Sequence, residues 1–196
     1  MPAASGLDPA LLIRAYREGI FPMAVEGGEI AWFSPDPRGV MPLEAFHIPA
    51  RLARVIRSGR FETVTDRDFE GVMRACALRP GGEGTWISEE IVQSYLTLHR
   101  LGLAHSVEVW RGNGLVGGLY GVHLGGAFFG ESMFHRETDA SKIALAALVD
   151  RLTRRGFQLL DVQWLTPHLA QFGAVEIPRR QYLARLKQAL EVDCAF

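Results

Sequence analysis

Between residues 106 and 163 three apolar runs are separated by two glycine-rich breaks and followed by a helical period and one more apolar run, an order that leaves few folds open. Val107 and Val109 come before Arg111-Gly112-Asn113-Gly114; Leu115, Val116, Leu119 and Tyr120 come before Leu124-Gly125-Gly126; Phe128 and Phe129 come after. Aromatic and β-branched runs joined by such glycine pairs predict antiparallel hairpins. Ile143, Ala147, Leu148 and Leu152 then fall at helical spacing, with Thr138 or Asp139 as N-cap and Gly156 to end the helix. A last strand over 158–162 completes a meander, a helix and a returning strand. The fold class that follows is α+β, a mixed sheet flanked by helices.

Three polar residues stand out in these apolar strands. Glu131 lies in Gly130-Glu131-Ser132-Met133-Phe134, and Asp161 and Gln163 lie two apart in Leu160-Asp161-Val162-Gln163-Trp164. On a regular strand that spacing puts Asp161 and Gln163 on one face and Val162 on the other. A carboxylate is costly to bury unpaired, so each needs a partner, a cleft or a proton to handle. The plainer alternative, an ion-paired structural group or a strand end facing water, stays open.

Upstream, Asp8 and Pro9 open a helix over 8–18 that Gly19 ends; an extended passage from Phe21-Pro22 leads to a strand over 30–33. Two prolines in the run 34–39 can continue neither strand nor helix and mark a boundary. The expected units are a small N-terminal α/β domain, 1–37, and a main domain, 38–196. Tyr16, Phe21, Trp32 and Phe33 read as a small core or as stacking surfaces for nucleic-acid bases. A helix over 48–58 buries Leu52, Val55 and Ile56 and sets Arg51, Arg54 and Arg57 on another face, the chain's best basic patch. With a net charge of −1, broad charge-driven binding of nucleic acid is excluded, so phosphate contacts must be local. Arg179 and Arg180, at the start of the final helix, oppose its dipole and invite an anionic partner. Residues 66–77 form another amphipathic helix, 79–84 a mobile loop, and Ser88 caps a helix running to His99. Cys76 and Cys194 read as free thiols, no Cys or His cluster has metal-ligand spacing, and no apolar run reaches membrane-spanning length. A cytoplasmic protein without metal or cofactor is expected.

Eight blocks in order carry a resemblance: Tyr16-Arg17-Glu18-Gly19-Ile20-Phe21-Pro22, Trp32-Phe33-Ser34-Pro35-Asp36-Pro37-Arg38, Gly84-Thr85-Trp86-Ile87, His105-Ser106-Val107-Glu108-Val109-Trp110, Gly117-Gly118-Leu119-Tyr120-Gly121-Val122, Gly130-Glu131-Ser132-Met133-Phe134, Ala140-Ser141-Lys142 and Gly173-Ala174-Val175-Glu176-Ile177-Pro178-Arg179-Arg180. Through them the chain resembles the bacterial leucyl/phenylalanyl-tRNA–protein transferases. The resemblance implies an N-acetyltransferase-like (GNAT-type) sheet, no cofactor, and a monomer. It implies transfer of Leu or Phe from Leu-tRNA or Phe-tRNA to the N-terminal amine of proteins beginning with Arg or Lys, which marks them for degradation. It makes Glu131 the partner of the acceptor's cation, and Asp161, with Gln163, the group that orients the α-amine and takes its proton. Leu119, Phe128, Met133, Leu148 and Leu160 match the amino-acid pocket; Trp86 and Tyr16 match the tRNA terminus, with Arg51, Arg54, Arg57, Arg179 and Arg180 on its backbone. The departures are a shortened start, Met23 where some members carry an aromatic residue, and Val162 in place of a cysteine. Two rivals remain: an acetyl-CoA-dependent N-acetyltransferase, disfavoured because the junction 135–140 lacks the pyrophosphate-binding glycines, and an adaptor that binds basic N-termini without chemistry.

Overall fold

The hairpin signals of the central stretch fold as expected. In the computed structural model, which describes residues 6–78 and 85–196, β5 (Ala104–Arg111), β6 (Gly114–Leu124) and β7 (Ala127–His135) form an antiparallel meander. Gly112 and Gly125 occupy the turns with φ of 57° and 56°, a backbone conformation that favours glycine. Helix α5 (Ala140–Arg154) follows, and β8 (Leu159–Gln163) returns parallel to β7. Asp139 precedes α5 in a left-handed conformation, φ 69°, and offers no capping bond; its carboxylate instead accepts from Lys142 Nζ at 2.8 Å.

The run of prolines hides a strand. Residues Arg38–Met41 form β3, which lies antiparallel to β8 on one side and to β9 (Val175–Ile177) on the other. With β4 (Glu62–Thr65) on the far edge, the sheet has seven strands in the order β4-β5-β6-β7-β8-β3-β9. Ahead of it, α1 (Pro9–Arg17) leads into a separate hairpin of β1 (Phe21–Ala24) and β2 (Ile30–Phe33). Asp8 caps α1 as expected, its Oδ1 accepting from Ala10 N at 3.0 Å. One face of the large sheet is covered by α2 (Ala50–Arg57), α5 and α6 (Pro167–Ala170); the other by α1, α3 (Phe69–Ala77), α4 (Glu89–Arg100) and α7 (Arg179–Leu190). On α2 only Leu52 is fully buried; Val55 is half-buried and Ile56 is 38% exposed, because so short a helix rests on α5 by one edge. The expected loop at 79–84 lies outside the described residues. No helix among the described residues is long and apolar enough to cross a membrane.

The sheet is interrupted where it matters. β7 and β8 pair only at Ala127–Leu159, Phe128–Leu160 and Phe129–Asp161, then part. Each strand also carries one residue too many at that point. Opposite β6, Tyr120 pairs with Ser132 and Gly121 with Gly130, so Glu131 is the extra residue of a β-bulge. Opposite β3, Gly39 pairs with Gln163 and Val40 with Asp161, so Val162 is extra on β8. Gly121 is required beside the first bulge, since a Cβ there would meet the Phe129 carbonyl oxygen at 2.3 Å.

Candidate active site

The parting strands leave a cavity of about 370 Å³ that reaches both faces of the sheet. On the α5 side its wall is Leu119, Met133, Leu145, Leu148, Leu160 and Leu169; on the other side stand Phe21, Met23, Trp86 and Trp164. Of the five residues expected in the amino-acid pocket, four line it. Phe128 does not: it is fully buried beneath, its ring 5.2 Å from that of Phe196, because it sits where β7 and β8 are still joined. Leu145 and Leu169 went unnoticed in the sequence because their own elements hold them as ordinary apolar positions.

Glu131 and Gln163 line the cavity and Asp161 does not. The bulge at Val162 explains why the even-spacing argument failed to keep Asp161 and Gln163 together and to send Val162 away: one added residue turns the following side chain to the other face. Glu131 Oε1 accepts from the Tyr16 hydroxyl at 2.7 Å and from Gln163 Nε2 at 3.4 Å, and Oε2 accepts from the Tyr95 hydroxyl at 3.4 Å. Tyr16 and Tyr95 also share a short hydrogen bond. Desolvation pushes the Glu131 carboxyl up to about 8, although the Tyr16 hydrogen bond and the charge of Arg38 work against it. Tyr16, expected at the tRNA terminus, is therefore a buried donor behind Glu131, 1% exposed and closed to a nucleotide.

Asp161 lies behind the cavity wall with no exposed surface, and its oxygens are fully used. Oδ1 accepts from Arg38 Nε at 2.9 Å and from the backbone N of Gln163 at 2.9 Å; Oδ2 accepts from Arg38 Nη2 at 2.6 Å and from the Tyr182 hydroxyl at 2.8 Å. A carboxylate so engaged presents no free oxygen to the cavity. Burial works against the charge on Arg38, yet the hydrogen bonds and charge of Asp161 outweigh it and raise the guanidinium pKa. Arg38, Tyr95 and Tyr182 were all missed in the sequence. The available signal for Arg38 was an arginine wedged between Pro37 and Gly39 directly before the apolar pair Val40-Met41.

Just past Asp161 the chain turns sharply. Trp164 N donates to Val162 O at 2.7 Å around Gln163, whose φ is 59°. A two-residue hydrogen bond around a left-handed residue is a γ-turn, a strained conformation worth of order 1–3 kcal/mol that persists only where neighbours impose it. It turns the Gln163 amide toward Glu131 and brings Trp164, 41% exposed, to the cavity rim edge-on to Phe21 at 5.1 Å.

The basic residues divide. Arg51, Arg54 and Arg57 are exposed on α2, with Arg51 only 4.0 Å from Asp139. Glu137 pairs with Arg60 at 2.8 Å and with Arg111 at 3.2 Å, so that flank is less purely positive than the sequence of the helix implies. Arg179 is engaged: its backbone N donates to Asp36 Oδ1 at 3.0 Å and its Nη1 to Ser34 O at 2.9 Å. Asp36 thus supplies the negative charge at the α7 N-terminus for which an anionic ligand was expected. Arg180 is exposed beside it. Trp86 lines the cavity, held by a bond from Ala24 N to its carbonyl oxygen at 3.1 Å.

A protein-family model described as leucyl/phenylalanyl-tRNA protein transferase matches residues 40–187, and another, described as the N-terminal domain of that transferase, matches 6–36. The leucyl/phenylalanyl-tRNA–protein transferase of Rubrobacter xylanophilus is 56% identical over 191 residues, covering 97% of this chain and 98% of that protein. The protein of the same name from Gloeobacter violaceus is 56% identical over 191 residues, 97% of each. Among solved structures, L-PGS from Bacillus licheniformis is similar with a TM-score of 0.46 and 9% identity over 87% of this chain and 66% of that one. A GCN5-related N-acetyltransferase-like protein from Streptococcus suis gives 0.41 and 16% over 86% and 63%.

Proposed function

The chain belongs to the leucyl/phenylalanyl-tRNA protein transferase family, and from that premise we propose that it moves Leu or Phe from aminoacyl-tRNA to the N-terminal amine of proteins beginning with Arg or Lys. The observation that carries this is the split sheet: an apolar wall deep enough for a leucyl or phenylalanyl side chain meets one titratable carboxyl group at the point where the strands part. The aminoacyl side chain occupies the wall of Leu119, Met133, Leu145, Leu148 and Leu160, which leaves its ester carbonyl beside Glu131 and Gln163. Trp86 and Trp164 flank the mouth for the terminal nucleotide, and Arg51, Arg54 and Arg57 hold backbone phosphates further out. The acceptor protein is marked for degradation, and the reaction belongs in the cytoplasm, with a monomer sufficient to perform it.

The ester is already activated, so the protein chiefly positions the reactants and moves one proton. The acceptor α-ammonium ion gives one proton to Glu131, the freed nitrogen attacks the ester carbonyl, and as the bond to the ribose oxygen breaks a second proton from that nitrogen passes to the ribose oxygen, leaving the first on Glu131 for release to solvent. A carboxyl near 8 matches an α-amine, ordinarily about 7.7–8.0, so the exchange is nearly balanced. At neutral pH the carboxyl is mostly protonated. The cationic side chain of an N-terminal Arg or Lys beside it favours the ionised form, while a neutral first residue leaves it idle. Selectivity for basic N-termini then comes from switching on the proton acceptor. Asp161 acts one step back, on the backbone of Gln163.

The test supplies radiolabelled leucyl-tRNA and an Arg-initiated peptide, with acetyl-CoA as a competing donor. Label should appear on the peptide N-terminus and none on one beginning with Asp. Acetyl transfer, or tight peptide binding with no transfer, would refute the assignment.

A further inference from the structure

Arg38 has no exposed surface, and it does more than neutralise Asp161. Its Nε and Nη2 engage both oxygens of that carboxylate, Nη2 also lies 3.3 Å from the Tyr182 hydroxyl, and Nη1 donates to Gly19 O at 2.9 Å. The guanidinium carbon sits 4.4 Å from the centre of the Tyr182 ring and 4.9 Å from that of Phe21. One side chain therefore joins the end of α1, strands β1, β3 and β8, and helix α7. A buried ion pair gives little net stability, since desolvation offsets most of the attraction and apolar residues of similar volume serve as well. Its distinctive contribution is direction.

Both groups that line the cavity are indexed to this guanidinium. By one route it fixes Asp161, whose Oδ1 accepts from Gln163 N at 2.9 Å and so holds the left-handed turn. By the other it holds Gly19, whose N donates to Tyr16 O at 3.0 Å, and the Tyr16 hydroxyl donates to Glu131. The next residue braces the turn from outside: a Cβ on Gly39 would come within 2.7 Å of the Trp164 carbonyl carbon, so β3 can press this closely only as glycine. We propose that Arg38 is a positioning residue for aminoacyl transfer, holding through Asp161 the turn that aims the Gln163 amide at Glu131 across the cavity. This rests on the aminoacyltransferase reading of the same site.

Arg38→Lys keeps the charge but loses the two-pronged geometry and cannot serve Asp161 and Gly19 together. The expected result, in a variant folded by circular dichroism, is a fall in kcat of about 10²-fold with both KM values, for leucyl-tRNA and for an Arg-initiated peptide, unchanged. In uniformly ¹⁵N-labelled protein, the Gln163 amide should lose its protection from hydrogen exchange while the β5 and β6 amides keep theirs. A purely structural role would leave that contrast unmoved. Wild-type kcat, or an equally protected Gln163 amide, in folded Arg38→Lys overturns the inference. If that variant does not fold, Tyr182→Phe decides, since it removes only the hydroxyl, with its bond to Asp161 and its contact with Arg38: kcat about fivefold lower with unchanged KM is expected, and wild-type kcat overturns the proposal. A wild-type chain that transfers nothing overturns the functional reading and this inference with it; one that transfers, with both variants at full rate, overturns this inference alone.

Discussion

Asp161 and Glu131 stand on neighbouring strands, both at the point where β7 and β8 part, yet they have been given opposite surroundings. Asp161 accepts four hydrogen bonds, two from a buried guanidinium, and meets no open space. Glu131 has only hydroxyl and amide donors, lines the cavity, and is driven up to about 8 by burial. The contrast teaches that two carboxylates in one apolar sheet need not share a task. The neutralised one fixes geometry, and the unneutralised one keeps a proton within reach of neutral pH.

Breaking the first arrangement should have the largest effect. Asp161→Ala leaves Arg38 charged, enclosed and without its partner, and such losses cost about 3–5 kcal/mol. Urea denaturation should show that drop, with transfer lost along with the Gln163 turn. An Asp161→Ala protein as stable as wild type would mean that the pair is not what holds β3, β8 and α7 together. Breaking the second should do the reverse. Glu131→Gln keeps the shape and the hydroxyl bonds, so the fold should stand, while kcat falls by about 10²-fold for want of a proton acceptor. Near-wild-type transfer by that variant would remove Glu131 from the chemistry.

Much of this architecture was legible in the sequence: the meander, the helix with its glycine stop, the returning strand, and both carboxylates as residues in need of an explanation. The division of labour was not. Even spacing placed Asp161 with Gln163 because it assumes an unbroken pleat, and nothing local announces the extra residues at Glu131 and Val162. β3 was hidden because its prolines precede it and its partners, β8 and β9, lie more than a hundred residues away. Arg38 went with it: an arginine reads as surface until its buried partner is known. Tyr16 and Phe128 were misplaced for a related reason, since an aromatic side chain near a site and one lining it look alike in sequence.

A third experiment sharpens the comparison through the acceptor. If a basic first residue works by ionising Glu131, its advantage must fade once pH does the same job. The ratio of kcat/KM for Arg-initiated over Ala-initiated peptides should be largest near pH 7 and narrow as pH rises through about 8. A ratio flat from pH 7 to 9 would assign selectivity to static charge attraction instead.

The last effect is on how stability depends on pH, and its sign is diagnostic. Glu131 is raised from 4.5 to about 8 in the fold, so between those values the native state holds a proton that the unfolded chain has released. Stability must therefore fall as pH rises across that window and level off above it. Other groups act in the same range: His123 and His168, pulled down by burial, favour the native state more as pH rises. Glu131→Gln cancels these by subtraction, because a glutamine stays neutral throughout and leaves the histidines in place. The melting temperature of Glu131→Gln minus that of wild type should thus grow from pH 5 to about pH 8 and level off by pH 9. A difference that shrinks over that range would mean the folded protein prefers the ionised carboxylate, and the contrast with Asp161 would collapse into two carboxylates held the same way.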